Sequence, residues 1–257
     1  MKKFVYLFII IVIFSIIFSS DSISQFYKVY GYQTLDAGEK EFVYWFTDII
    51  SSDLVYDFFG EVYPRKGLMA HSLEIEYGLS NHFTVALYFD FEKPKKGELK
   101  RVRTKAVMVR YRFYEKGSRP VDLAVYVEYI LPKDEYKNSE ELEFKTILEK
   151  DVKNFTFIFN PTFEKKVSGS EVSEGLEFNF AGGVYYRKSL KFQPGIEFYN
   201  RIGEIKEMRN FNEQKGYIFS TLDIFFKKHY HWHIGAGIGL SDNSDDFLFK
   251  SILSAEF

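Results

Sequence analysis

From residue 40 to its last residue the chain keeps a period of two. Phe83, Val85, Leu87, Phe89 and Phe91 interleave with Thr84, Ala86, Tyr88, Asp90 and Glu92, and Trp232, Ile234, Ala236, Ile238 and Leu240 interleave with His231, His233, Gly235, Gly237 and Gly239. A strand turns successive side chains to opposite faces, so each such segment has one apolar and one more polar face. No helical period of useful length follows residue 25. The pattern predicts strands near 40–50, 68–79, 83–92, 101–114, 120–131, 140–149, 154–164, 175–187, 190–201, 216–227, 231–240 and 246–257, twelve in all. The links between them alternate long (Ser51–Gly67, Lys93–Lys100, Pro132–Ser139) and short (Ser80–His82, Glu115–Arg119, Lys150–Lys153). An even strand number with alternating link lengths is the mark of an up-and-down barrel whose two ends face different compartments. The expected fold is all-β: one antiparallel transmembrane barrel of about twelve strands over residues 25–257.

The two ends of the chain agree. Counted back in twos from the terminus, Phe257, Ala255, Leu253, Ser251, Phe249 and Phe247 form one face; Glu256, Ser254, Ile252, Lys250 and Leu248 form the other. This resembles the closing strand of bacterial outer-membrane β-barrels, which ends in Phe or Trp and is read by the barrel-assembly machinery. The resemblance makes Phe257 the expected assembly signal. At the other end, Lys2 and Lys3 precede an apolar run from Phe4 to Phe18, and small residues Ser22 and Ser24 stand where a signal peptidase would cut. Fifteen apolar residues suit a secretory signal and are short for a spanning helix, so residues 1–24 are expected to be a signal peptide. Phe26–Thr34 is an extra element expected to line the lumen or lie below it.

Composition narrows the reading. There is no cysteine, which excludes disulfides, thiolate metal sites and a lipidated Cys after the signal. Charge is near balance, 34 Lys and Arg against 36 Asp and Glu, so no nucleic-acid partner is indicated. Aromatic residues make up 19% of the chain, which suits a lipid-facing wall with aromatic girdles. Alternation alone cannot say which face looks outward. The charge-rich polar sets, the export signal and strands of ten or more residues favour apolar-out, placing the protein in the outer membrane with lipid as its partner. A soluble exported barrel is the alternative.

Facing polar sets inward puts Glu74, Glu76, Asp90, Arg110, Arg112, Asp122, Glu128, Glu177, Glu197, Arg201 and Asp223 in the lumen, together with Glu92, Glu141, Glu143, Lys145, Arg187, Lys191, Lys227, Lys250 and Glu256. Acids outnumber bases, which suggests a weak cation preference for small solutes if the pore is open. Alternatively the charges pair and fill the barrel, with Arg110 and Arg112 flanked by the strands carrying Asp90, Asp122 and Glu128. In the filled-lumen alternative, the loop Ser51–Gly67, with Tyr56, Phe58, Phe59 and Tyr63, binds a partner. His229, His231 and His233 share one strand face, and His231 and His233 are weak metal candidates set against a plain polar cluster at the periplasmic mouth. No cofactor is expected. His71 and Ser72 are adjacent and therefore on opposite faces, so no catalytic pair is assigned there and the chain is not read as an enzyme.

Hairpin registers follow from face matching. The turn Ser80-Asn81-His82 predicts Leu79 opposite Phe83, Tyr77 opposite Val85, Ile75 opposite Leu87 and Leu73 opposite Phe89. The turn Arg187-Lys188-Ser189 predicts Tyr186 opposite Leu190, Val184 opposite Phe192, Phe180 opposite Ile196 and Phe178 opposite Phe198. The first hairpin, Leu73-Glu74-Ile75-Glu76-Tyr77-Gly78-Leu79-Ser80-Asn81-His82-Phe83, resembles one that recurs in porin-like and transporter-like outer-membrane proteins. Among these is the family labelled for MetA-pathway phenol degradation, and Pro120–Tyr129 is similar to another segment of such proteins. The resemblance implies a channel or transporter architecture and transfers no binding residue.

Overall fold

The computed structural model describes residues 27–257, apart from 134–135, 137–138 and 228. The expected signal peptide, 1–24, lies outside the described residues. The strands are β1 (Lys40–Ser51), β2 (Val55–Phe58), β3 (Glu61–Pro64), β4 (Met69–Ser80), β5 (Phe83–Lys93), β6 (Lys100–Arg112), β7 (Asp122–Pro132), β8 (Glu141–Val152), β9 (Phe155–Lys166), β10 (Glu177–Tyr186), β11 (Phe192–Glu204), β12 (Lys215–Phe226), β13 (Tyr230–Gly239) and β14 (Phe247–Glu256). Among the described residues, β1 and β4–β14 form a closed antiparallel barrel of twelve strands in sequence order, and β2–β3 stand apart as a hairpin inside the first long link.

The wall is inverted relative to a soluble protein. Phe42, Leu73, Ile75, Phe157, Phe159, Ile196 and Leu253 are exposed on the outside, while Glu74, Glu76, Asp90, Glu128 and Lys250 are at most 1% exposed within. Apolar side chains facing out around a charged interior are what a lipid-solvated barrel requires, because the hydrocarbon then meets only apolar groups.

The seam is regular. Trp45 faces Ile252 and Val43 faces Ser254, with one irregularity near Ser51. The Lys40 N–H donates to the Phe257 carbonyl (3.0 Å) and the Phe257 N–H to the Lys40 carbonyl (2.8 Å). The Phe257 ring meets Phe42 edge-on at 6.1 Å.

Two registers need correction. In the β4–β5 hairpin, Tyr77 faces Val85, Ile75 faces Leu87 and Leu73 faces Phe89, but Phe83 pairs with Ser80 and not with Leu79. A bulge between Gly78 and Ser80 absorbs one residue. In the β10–β11 hairpin, Val184 faces Ile196 and Phe180 faces Asn200, four residues beyond the expected partners. The turn is longer than foreseen: the Ser189 hydroxyl accepts the N–H groups of Lys191 (3.2 Å) and Phe192 (3.1 Å), so the loop runs on to the first residue of β11. An even shift leaves every side chain on its face, so face matching cannot detect it.

Candidate functional site: a strapped lumen

Residues 27–36 run down the inside of the barrel and turn at Asp36-Ala37-Gly38 into β1. Tyr27 packs edge-on against Tyr199 (5.3 Å) and Tyr217 (5.0 Å) near the long-loop end. Farther down, the Asn160 side chain clasps the backbone of Tyr30: its amide oxygen accepts the Tyr30 N–H (2.7 Å) and its amide nitrogen donates to the Tyr30 carbonyl (3.0 Å). The Tyr32 N–H donates to Glu149 (2.8 Å), and the Leu35 N–H donates to the Thr84 hydroxyl (2.9 Å) at the short-turn end. At the turn, a side chain on Gly78 would overlap the Asp36 carbonyl oxygen at 2.0 Å, so only glycine lets the strap pass this close. The extra amino-terminal element therefore lines the lumen.

The strap stands between two cavities. One, about 580 Å³, lies toward the short-turn end. Its walls carry seven carboxylates (Glu39, Glu41, Glu149, Asp151, Glu197, Asp223, Glu256) against Lys28, Arg110, Lys116 and Arg187. The other, about 120 Å³, lies on the far side of Tyr30 among Trp45, Tyr88, Arg103, Asn179 and Arg201. Above them the β2–β3 hairpin folds inward. Tyr56 and Phe58 are buried, and Phe58 meets Tyr63 and Tyr136 edge-on at 5.9 and 6.3 Å. The loop read as a partner surface thus turns two of its four aromatic side chains into its own barrel mouth.

Of the twenty charged residues expected in the lumen, the eleven from Glu74 to Asp223 named first lie on inward faces, joined in local networks. Trp45 donates to Glu74 (2.8 Å), Arg110 to Glu76 (2.8 Å), and Ser72 and Arg103 to Asp90 (2.5 and 2.6 Å). Glu128 accepts the Tyr126 hydroxyl, Asp122 the Gly117 N–H (2.7 Å), and Arg112 donates to the Asn81 carbonyl (2.7 Å). Arg201 bridges Glu177 (2.5 Å) and Glu164 (3.1 Å). Glu197 accepts from Tyr185 (2.6 Å), Tyr199 (2.5 Å) and Lys250, which also donates to the Tyr27 carbonyl (3.1 Å). The pairing of Arg110 and Arg112 with Asp90, Asp122 and Glu128 that the filled-lumen alternative offered is not formed among the described residues, where Arg110 meets Glu76 and Arg112 meets Glu115. Bulges in β6 opposite Ala86/Tyr88 and Asp90/Phe91 change the inward parity and deliver Arg103 to Asp90 instead. Lys191 and Lys227, also expected inside, lie exposed at the short turns.

His231 and His233 turn inward onto one carboxylate oxygen of Asp223, at 2.9 and 2.6 Å, while Arg187 holds its other oxygen at 2.6 Å. His229 lies in the turn before β13. Among the described residues no group of three or more His, Asp or Glu has the arrangement to hold a metal ion. His71 and Ser72 part as their spacing dictates: His71 bonds Tyr44 (2.7 Å) and Ser72 bonds Asp90.

Some site residues carried no signal in the sequence. Asn160 and Thr84 belong to the polar sets of their strands, but nothing marks them as strap anchors. Arg65 and Asp245 lie in different loops and form a buried bidentate pair, both contacts 2.8 Å. Burial works to raise the Asp245 pKa, and the Arg65 guanidinium more than offsets it, holding the carboxyl below its ordinary value.

The closed strand order, apolar wall and polar lumen define a transmembrane β-barrel of the outer-membrane type. A COG4313 outer membrane channel from Pseudomonas putida F1 has a similar fold: TM-score 0.64, 12% identity, covering 88% of this chain and 98% of that one. NanC porin aligns with TM-score 0.57 and 10% identity over 85% of this chain and 98% of that one. KdgM porin aligns with TM-score 0.56 and 10% identity over 84% and 99%. At these identities the likeness is one of fold. No protein-family model and no curated protein matches the chain.

Proposed function

We propose that this protein is an outer-membrane channel for small solutes, closed here by its own amino-terminal strap. The observation that carries the reading is a strap whose polar ties to the wall are mainly side chain–backbone hydrogen bonds, beside the buried rings of Tyr27, Tyr30 and Tyr32, with a cavity on either side. Each such bond has a modest net worth and can be exchanged for water, so the strap is a displaceable obstruction. The porin and channel folds it resembles support the reading. The excess of carboxylates around the larger cavity favours cations over anions. The finer resemblance, to proteins labelled for phenol degradation, would make the solute a small aromatic molecule, and Tyr30, Tyr88 and Tyr199, which line the smaller cavity, are suited to one. Phe257, its ring turned outward, is the assembly signal in this reading.

Planar-bilayer recording tests it. The parent should show brief, cation-preferring openings, and an Asn160→Ala, Glu149→Ala variant should open longer because both side-chain acceptors of the strap N–H groups are gone. A folded barrel that stays silent in both forms would leave the filled-lumen scaffold as the function.

A further inference from the structure

We propose that a pocket on the outer wall at the long-loop end binds the phosphate groups of a lipid in the surrounding leaflet. The pocket, about 250 Å³, lies where β1, β4 and β5 meet the first two long loops, and its lining includes Asp48, Ile50, Lys66, Met69, Lys93 and Lys95. Asp48, Met69 and Lys93 are neighbours in one row, since Asp48 pairs with Met69 and Met69 with Lys93. One outward row below come Phe46, His71 and Phe91, then Tyr44, Leu73 and Phe89. The lysines thus sit directly above the apolar belt, at the depth of lipid headgroups, while Ile50 and Met69 continue that belt upward.

The site is shaped before any ligand arrives. The Gly67 N–H donates to the Ile49 carbonyl (2.6 Å), and the Gly97 N–H closes a turn onto Pro94 (3.0 Å). Gly67 has φ +81°, and a Cβ there would lie 2.9 Å from the Lys95 side chain, so its glycine lets Lys95 lie across the pocket. Lys66, Lys93 and Lys95 are all exposed, against the single carboxylate of Asp48. Arg101, also exposed, stands beside Phe91 and adds positive charge at the same rim. Lysine is a mobile point charge suited to phosphate, and basic residues at a membrane surface attract anionic headgroups. The assignment takes the long loops to face outward, as in outer-membrane barrels with short periplasmic turns, and is independent of whether the lumen conducts.

Native mass spectrometry of the detergent-solubilised barrel with diphosphoryl lipid A tests it. The parent should retain the lipid, and a Lys66→Gln, Lys93→Gln, Lys95→Gln variant should bind on the order of a hundredfold more weakly, roughly fivefold for each lysine. A control with Lys150, Lys153 and Lys188 changed to Gln at the short-turn end should bind as the parent does. Monophosphoryl lipid A should bind less tightly, and inorganic phosphate at equal concentration should not displace the lipid. Equal retention by the parent and the first variant, or equal retention of phosphatidylcholine, would overturn the proposal. Displacement by free phosphate would remove the lipid from it.

Discussion

The Arg65–Asp245 pair offers the sharpest test of how the mouth is closed. Arg65 ends the inward-folded hairpin and Asp245 begins the approach to β14, so the pair clamps the first loop to the last across the barrel seam. Side-chain exposure is 8% for Arg65 and 0% for Asp245. Asp245→Asn keeps the shape and removes the charge, leaving a buried guanidinium without its anion. Breaking one partner of a buried pair costs about 3–5 kcal/mol. If that cost falls on the closed hairpin, the open population rises roughly two to three and a half orders of magnitude. Limited proteolysis within residues 52–66 reads this population directly when opening and closing are fast. The Arg65→Met, Asp245→Leu double variant removes both charges and should be cut far more slowly than Asp245→Asn. The pH dependence has a fixed sign. The Asp245 pKa is depressed in the folded state, so its contribution is fully present above the unfolded value of about 3.9 and is lost as pH falls through the lower folded value. Asp245→Asn should cancel that acid-dependent part of the cutting rate. Equal cutting of parent and Asp245→Asn at neutral pH would refute the clamp, as would a double variant as labile as the single.

Two further outcomes probe the wall and the terminus. A Cβ on Gly237 would lie 2.5 Å from the fully buried Phe219 ring. Gly237→Val should therefore cost about 1–3 kcal/mol or more through overpacking and lower the heat-modifiable, folded fraction on gels, with partial recovery when Phe219→Leu is added. Unchanged folding would remove the packing argument. Phe257 is 66% exposed, so Phe257→Ala should change the melting temperature of the purified barrel little while reducing its yield in the membrane. A large drop in melting temperature would make Phe257 a seam-packing residue and not a signal.

Much of the barrel was legible because membrane-facing strands must repeat every two residues and must be long. All twelve wall strands lie within about three residues of their expected limits. What escaped detection shares one physical character: it leaves parity untouched or breaks it locally. The four-residue register offset at Val184 changes no face. The β6 bulges alter which residues point inward, and no residue type in that strand announces them. Val55–Phe58 alternates too briefly to stand out from its loop. The polar faces were readable from alternation, but Lys191 and Lys227 fall at turns and Arg103 comes inward only through a bulge. The partners of the lumen charges depend on strand stagger. Arg110 therefore meets Glu76, two strands away, and not Asp90.

The strap also constrains how the molecule is built. Its anchors come from β5 (Thr84), β8 (Glu149), β9 (Asn160) and β14 (Lys250), all the way around the wall. A sheet still open between β1 and β14 cannot bring all four to the strap at once, and a sheet already shut offers it no sideways entry. Full docking of residues 27–36 thus requires a closed seam, and the two are coupled. The strap acts as an internal former that gauges the circumference as the last strand comes home.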